Sequence, residues 1–355
     1  MEDEIKNLCN VSLGVITSLC CCHLISSRLP KGKWRLLSFL PIFFLFATLP
    51  LYLTSAFFAA ITAFFITWLA NFKLLLCAFD QGPLSSNPTK SLPVFIIIAA
   101  LPFMIKPKKG TPPPQKSKKL PLNLATEIPV FLLMLAVLTD QKEHVHLIIL
   151  LLGYCCLVFL MVDIIISLSS FWVGILVGLE LEPASDEPYL ATSLQEFWGR
   201  RWNITVSSLL RQVIYKPVRS AAAEVLGRDW AALPAVLAAF LVSGLMHELL
   251  FWYITRARPS WETTAFFVLQ GVGVVAEFGL KETLDRKKWR LPWLVRSVLT
   301  MGFVVGTSFW LFFPPLIRNG ADVRVLEEFR FVSEVVKEKL PESLLRIGRR
   351  RGWYV

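Results

Sequence analysis

Apolar residues in this chain come in blocks long enough to cross a lipid bilayer, and that constrains the fold more than any other feature. A transmembrane helix needs about 20 mostly apolar residues. Candidate runs lie at 8–27, 36–53, 55–79, 92–105, 122–139, 145–179, 232–252, 262–280 and 294–313. The composition agrees: 55% of the residues are hydrophobic, 18% are charged, and mean hydropathy is +0.57. A soluble chain carries about 25% charged residues. The pattern predicts an all-α fold, a polytopic transmembrane helical bundle with about eight to ten membrane segments. It also predicts one integral-membrane domain over 1–355.

Two runs do not fit a simple crossing. Run 92–105 is short and punctuated by Pro93 and Pro102, so it is expected to be tilted, broken or re-entrant. Run 145–179 is too long for one span and carries Asp163 in its middle, so one span followed by a bent or interfacial segment is expected. Asp163 reads as a mark of a polar cavity or a helix break.

The net charge is +11, but no nucleic-acid partner is expected. The basic residues sit in short loops and in the tail 318–355, where they set topology and face anionic headgroups. The basic stretches are Arg28–Arg35, Lys106–Lys119 (in the proline-rich loop 106–121), Arg200–Arg219 and Lys281–Arg290. Placing them all on the cytoplasmic side does not close: three candidate runs lie between the first two stretches, which fits only if all three cross. The tail RIGRRRGWYV then falls on the opposite side, so either one late run is re-entrant or the tail is outside. The acidic start MEDEIKN lacks the basic region of a cleaved signal, so the first run reads as a retained span. The seven cysteines lie in or beside apolar runs without a CxxC pair, which points to packing residues rather than a disulfide framework. No metal or redox cofactor is expected.

Residues 182–231 form the longest stretch without a clear span. Phe197, Trp198 and Trp202 alternate with Arg200 and Arg201, a mixture suited to the headgroup zone. Ile204, Val206, Leu209, Leu210, Val213 and Ile214 then recur near helical spacing, predicting an interfacial or partly buried amphipathic helix. Asn203 heads that helix. It also begins an N-x-T sequon, so it reads as glycan acceptor, cap or functional amide.

His247 lies deep in the run 232–252, within SGLMHELLFWY. Ionisable groups are costly inside membranes and mark functional sites. An imidazole stays neutral in an apolar setting and can accept a proton there; a structural histidine hydrogen-bonded to a neighbouring helix is the other reading. Ser243 and Gly244 share its helix face, and the glycine leaves room for a substrate or another helix. Glu248 points about 100° away, so a structural pairing with a basic group elsewhere is expected of it. HELLF is not a metalloprotease HExxH, because Phe251 stands where the second histidine belongs. Glu277 and Lys281 read as a helix-end ion pair, and His144 and His146 as interfacial.

The pairing of SLQEFWGRRWN with SGLMHE resembles the plant wax synthases, long-chain-alcohol O-fatty-acyltransferases of the membrane-bound O-acyltransferase superfamily. The likeness runs from CCCHLISSRLPKGKWRL to FPPLIRNGADVRVLEEFR, nearly the whole chain. That superfamily uses a histidine in an apolar helix and an upstream asparagine, which fall here on His247 and Asn203. The resemblance implies a fatty acyl-CoA donor, a long-chain alcohol or sterol acceptor, and residence in the endoplasmic reticulum membrane. It implies His247 as general base and Asn203 as a hydrogen-bond donor to the oxyanion or an orienting group. Trp198, Arg200, Arg201, Trp202, Ser243 and Gly244 would contact substrate. Arg200, Arg201, Arg211 and Lys216 are candidates for the CoA phosphates, with headgroup contacts as the alternative. Readings of another class, a transporter or a scaffold, stay open. The scattered Asp163, His247, Glu248 and Glu277 make a thin transport path.

Overall fold

The computed structural model describes residues 2–85, 91–103, 124–141, 146–178, 181–286 and 291–339. Among them the architecture is helical throughout, as lipid demands of any backbone that does not close into a barrel. In chain order come α1 (Glu2–Arg28), α2 (Lys33–Thr48), α3 (Ala56–Thr62), α4 (Asn71–Ala78), α5 (Leu92–Ala100), α6 (Leu124–Gln141) and α7 (Leu147–Val177). After these come α8 (Leu194–Glu196), α9 (Ile204–Leu210), α10 (Lys216–Leu226), α11 (Ala232–Thr255), α12 (Glu262–Arg286), α13 (Trp293–Thr307), α14 (Pro314–Arg318) and α15 (Ala321–Lys339). A π-helical stretch, Ala63–Ala70, fuses α3 and α4 into one rod. Seven described helical rods are long and apolar enough to cross a bilayer, and α6 contributes a shorter apolar one, Leu124–Leu138.

Polar clasps at the rod ends sort the molecule into two faces. On one face, the Gly32 N–H donates to the Ala78 carbonyl at 2.8 Å and Arg35 donates to the carbonyls of Leu29 and Cys77. These tie the turn between α1 and α2 to the end of α4. On the opposite face, the Glu4 carboxylate accepts the N–H groups of Thr54 and Ser55. Arg256, just past α11, donates to the carbonyls of Pro50 and Leu53. Arg324 reaches the Ile254 carbonyl, and Arg318 pairs with Glu262.

Between these faces α5 does not cross. Its nine residues span about 13 Å, less than half of a hydrocarbon core of about 30 Å. It stops at Leu101, which is extended as expected of the residue before Pro102, and the fully buried Lys73 donates from Nζ to the end carbonyls of Ile98 (2.7 Å) and Leu101 (2.5 Å). This is the re-entrant alternative for run 92–105. Only α2 and the α3–α4 rod cross between the first basic loop and α5. Segments 28–35 and 200–219 therefore share one basic face, and α12 ends toward it. Lys106–Lys119 and the RIGRRRGWYV tail lie outside the described residues.

Run 145–179 is corrected. It is one continuous helix of 31 residues, about 46 Å long, not a span plus a bent segment. Its register against α6 is close: a Cβ on Gly153 would sit 2.9 Å from Leu138. His146 caps α7, its Nδ1 accepting the Ile148 N–H at 3.3 Å; His144 lies outside the described residues. All seven cysteines are free thiols, with Cys22 and Cys77 buried in packing roles. The segment 182–231 lies along the basic face, where α9 buries Thr205, Val206, Leu209 and Leu210, the expected amphipathic helix.

Candidate active site

An apolar cavity of about 780 Å³ runs through the molecule, and both His247 and Asn203 line it. Four π-helical stretches border it: Ala63–Ala70, Phe197–Arg201, Arg211–Tyr215 and Ser308–Phe312. A π turn adds a residue to the helical turn and redirects its side chains, which is why such turns gather at functional sites. They aim Trp68, Trp198, Arg200, Arg211 and Phe312 at the cavity.

His247 sits two-thirds of the way along α11, in an aromatic box. Phe267 stacks on it with centroids 4.2 Å apart, Trp68 meets it edge-on at 5.0 Å, and Phe312 lies at 6.0 Å. The imidazole Nδ1 lies 2.7 Å from the Ser243 carbonyl oxygen. A carbonyl only accepts, so Nδ1 carries the hydrogen and Nε2 carries the lone pair. The ring is thereby fixed in the tautomer that a general base requires.

Gly244 does not line the cavity. A Cβ there would lie 2.9 Å from Thr264 Cα and 3.2 Å from the Thr264 carbonyl. Of the two uses foreseen for the missing side chain, close approach of another helix is the one observed, here of α12. Ser243 is buried beside it and lines the cavity. Glu248 differs from expectation, since its carboxylate accepts the Thr264 N–H at 3.1 Å. It satisfies an otherwise unpaired donor in the first turn of α12 rather than a basic side chain.

Asn203 occupies a left-handed conformation (φ 38°, ψ 70°) and caps α9, its Oδ1 accepting the Val206 N–H at 3.2 Å. Asn tolerates this region better than most residues. With Oδ1 committed to the cap, the Nδ2 hydrogens are the part of the amide left for a cavity ligand. The cap reading is the one observed, and a cavity-lining cap is no place for a glycan.

The FWGRRWN segment divides its labour. Trp198 lines the cavity and donates from Nε1 to Gln270 Oε1 at 3.1 Å; Gln270 donates in turn to Thr307 Oγ1 at 2.7 Å. Trp202 lines the cavity and stacks parallel to Phe197, centroids 6.0 Å apart. Arg200 is exposed at the cavity mouth with Arg211, Lys216 and Arg219. Arg201 is not among them. It pairs with Glu196 at 2.7 Å and donates to the carbonyls of Asp186 and Glu187, so it clasps the loop and does not contact the cavity. Burial would raise the Glu196 carboxyl, but the Thr192 N–H and the Arg201 guanidinium outweigh it and hold the group below its ordinary value of 4.5. Glu277 accepts the Gln195 N–H at 3.1 Å, tying α12 to the same loop, while the Lys281 side chain lies outside the described residues.

Gln270 and Arg219 were not anticipated. A lone amide in an apolar run was the available signal for Gln270. The rings around His247 carry no such signal, because they read as core.

Residues 181–269 match the membrane bound O-acyl transferase family, an interval that includes Asn203 and His247. The chain is 43% identical to the probable long-chain-alcohol O-fatty-acyltransferase 3 of Arabidopsis thaliana, covering 97% of this chain and 99% of that protein. It is 40% identical to the long-chain-alcohol O-fatty-acyltransferase of Simmondsia chinensis, covering 96% and 98%. Identity to the acyl-CoA–sterol O-acyltransferase 1 of Arabidopsis thaliana is 39%, covering 91% and 94%.

Proposed function

This chain belongs to the membrane-bound O-acyltransferase family, among the long-chain-alcohol O-fatty-acyltransferases, and we propose that it esterifies a long-chain fatty alcohol with the acyl group of fatty acyl-CoA. It is an integral-membrane acyltransferase, which sets aside the transporter and scaffold readings. The observation that carries the mechanism is the tautomer of His247, with Nδ1–H held by Ser243 and Nε2 left basic in a cavity shared with Asn203.

The steps balance on those two residues. Nε2 takes the proton of the acceptor hydroxyl as its oxygen attacks the thioester carbonyl carbon. The carbonyl π electrons move onto oxygen, where Asn203 Nδ2 donates a hydrogen bond to the developing oxyanion. Collapse re-forms the carbonyl and breaks the C–S bond. The thiolate of CoA takes the proton back from Nε2, and ester and free CoA leave. The scheme requires no metal or redox group. The apolar walls exclude water, which would otherwise compete for the thioester.

Arg200, Arg211, Lys216 and Arg219 at the mouth suit the CoA phosphates. Arg219 replaces Arg201 in this set. The positive-inside rule puts that basic face toward the cytoplasm, where acyl-CoA is dissolved. Supply of acyl-CoA and of lipid alcohols together fits the endoplasmic reticulum membrane. The sterol acyltransferase relative supports a second acceptor class, a sterol.

Expression in yeast lacking its own storage-lipid acyltransferases, with microsomes offered acyl-CoA and either a fatty alcohol or a sterol, tests the proposal. Wax ester as the main product is expected. Steryl ester as the main product would favour the second acceptor, and no ester from either would overturn the reading.

A further inference from the structure

We propose that Phe329 is a specificity-determining residue that limits the length of the donor's acyl chain, at the end of the cavity opposite the basic mouth. The inference deepens the acyl-transfer reading above and rests on it.

The cavity continues past His247. α11 runs from the basic face to the Arg256 clasp on the other face, and its cavity-lining residues fall on both sides of the histidine. Val236, Ala239, Phe240 and Ser243 line the part toward the mouth, about 16 Å of helix. Leu250, Phe251 and Ile254 line a further stretch beyond His247, about 10 Å long. A donor whose phosphates sit at the mouth fills the first part with the arm that carries its thioester. With the carbonyl at His247, the acyl chain continues away from the mouth, into the second stretch.

α15 ends that stretch. Ala321, Val325 and Phe329 recur every four residues, with Asp322 and Leu326 beside them, so one face of the helix lines the cavity. The acid on that face is engaged, since Asp322 accepts the Tyr154 hydroxyl at 2.9 Å. Phe329 is the last of the set. Its ring meets Phe57 of α3 edge-on with centroids 5.3 Å apart, and Phe131 of α6 at 5.9 Å. All three rings line the cavity, so aromatic side chains from three helices meet across its end. The next residue back holds the helix in place. The Glu328 carboxylate accepts the Ser55 hydroxyl at 2.8 Å and the N–H groups of Ala56 and Phe57 at 2.7 and 3.0 Å. Those N–H groups belong to the first turn of α3, which leaves them without an intrahelical partner. Arg324, one turn before Glu328, donates to the Ile254 carbonyl of α11. α15 is thus tied to α3 and to α11 at the level of Phe329, and the ring stands as a wall against the terminal methyl of the chain.

Microsomes are to be offered one fatty alcohol with an equimolar mixture of lauroyl-, palmitoyl-, stearoyl- and eicosanoyl-CoA, and the esters resolved by mass. A ratio of products does not depend on how much of a variant accumulates, so a merely structural role would not move it. Phe329→Ala should raise the ratio of eicosanoyl to palmitoyl ester about tenfold, the discrimination that added methylenes meet in an apolar pocket. Phe329→Trp should lower it. Phe331→Ala, at an exposed ring of the same helix, should leave it unchanged. The mirror assay, with palmitoyl-CoA and a mixture of alcohols, should give the wild-type profile in every variant. An acyl profile unmoved in both Phe329→Ala and Phe329→Trp would overturn the inference, as would an alcohol profile that shifts as far as the acyl one. Should Phe329→Ala make no ester, Phe329→Leu, a smaller truncation, reads the same shift. Absence of ester from the wild type would instead overturn the acyl-transfer reading itself.

Discussion

Asn203 carries two tasks on one amide, and the two are separable. Its Oδ1 caps α9 and its Nδ2 is assigned to the oxyanion. Asn203→Asp keeps the acceptor and loses the donor. We expect it to fold and insert normally while kcat falls about 100-fold, the cost of removing one oxyanion donor. Asn203→Ala should lose the same activity and also about 1 kcal/mol of cap stability, seen as a lower melting temperature in detergent. Equal activity for Asn203→Asp and wild type would contradict the assignment. Gly244 offers a structural counterpart. With Thr264 Cα 2.9 Å from where a Cβ would be, Gly244→Val must push α11 from α12. Reduced membrane accumulation is expected, and wild-type level with wild-type melting would contradict it. The sequence singles out His247 and Asn203, through membrane burial and through the motif pair, and both line the same cavity. Arg201 was misassigned because sequence reports its charge but not its partners, and Glu196 and Asp186 neutralise it within the same loop. Lys73 was readable too, as a cation inside an apolar run, yet its task depends on carbonyls 25 and 28 residues away.

The elements were legible where apolar periodicity sets them and not where a tertiary contact does. The spans and the amphipathic α9 follow from composition and spacing. α5 stops before Pro102, as the sequence announces, but the lysine that takes its end carbonyls is not announced locally, nor is the unbroken course of α7 through Asp163. The π-helical turns around the cavity likewise have no simple sequence code. The loop from Tyr189 to Trp202 is an element of another kind, clasped by Arg201 and Glu196. Because Glu196 has its carboxyl held below 4.5 in the folded protein, its contribution is fully present above that value. It is lost as pH falls through the depressed value. Wild-type melting temperature should therefore drop on acidification below about pH 4.5 more steeply than that of Glu196→Gln. Parallel pH profiles would contradict the clasp.

At the scale of the molecule, alternating rods place the basic segments 28–35 and 200–219 on one face and the Arg256 and Glu262 clasps on the other. The cavity joins the basic mouth to an apolar interior, and the proposed function has a water-soluble donor and a lipid acceptor meet at His247. Sidedness is directly testable. In a variant stripped of native cysteines, Lys31→Cys should react with an impermeant maleimide in sealed microsomes, and Ser260→Cys only after permeabilisation. The reverse pattern would invert the assignment of donor access. The central claim is that His247 Nε2 removes the acceptor proton, and the most direct measurement is ester formation by His247→Ala at matched protein level. General-base removal is worth about 10²–10⁴ in rate, so kcat should fall by at least about 100-fold while acyl-CoA still binds. An active His247→Ala enzyme, within a few-fold of wild type, would contradict the account.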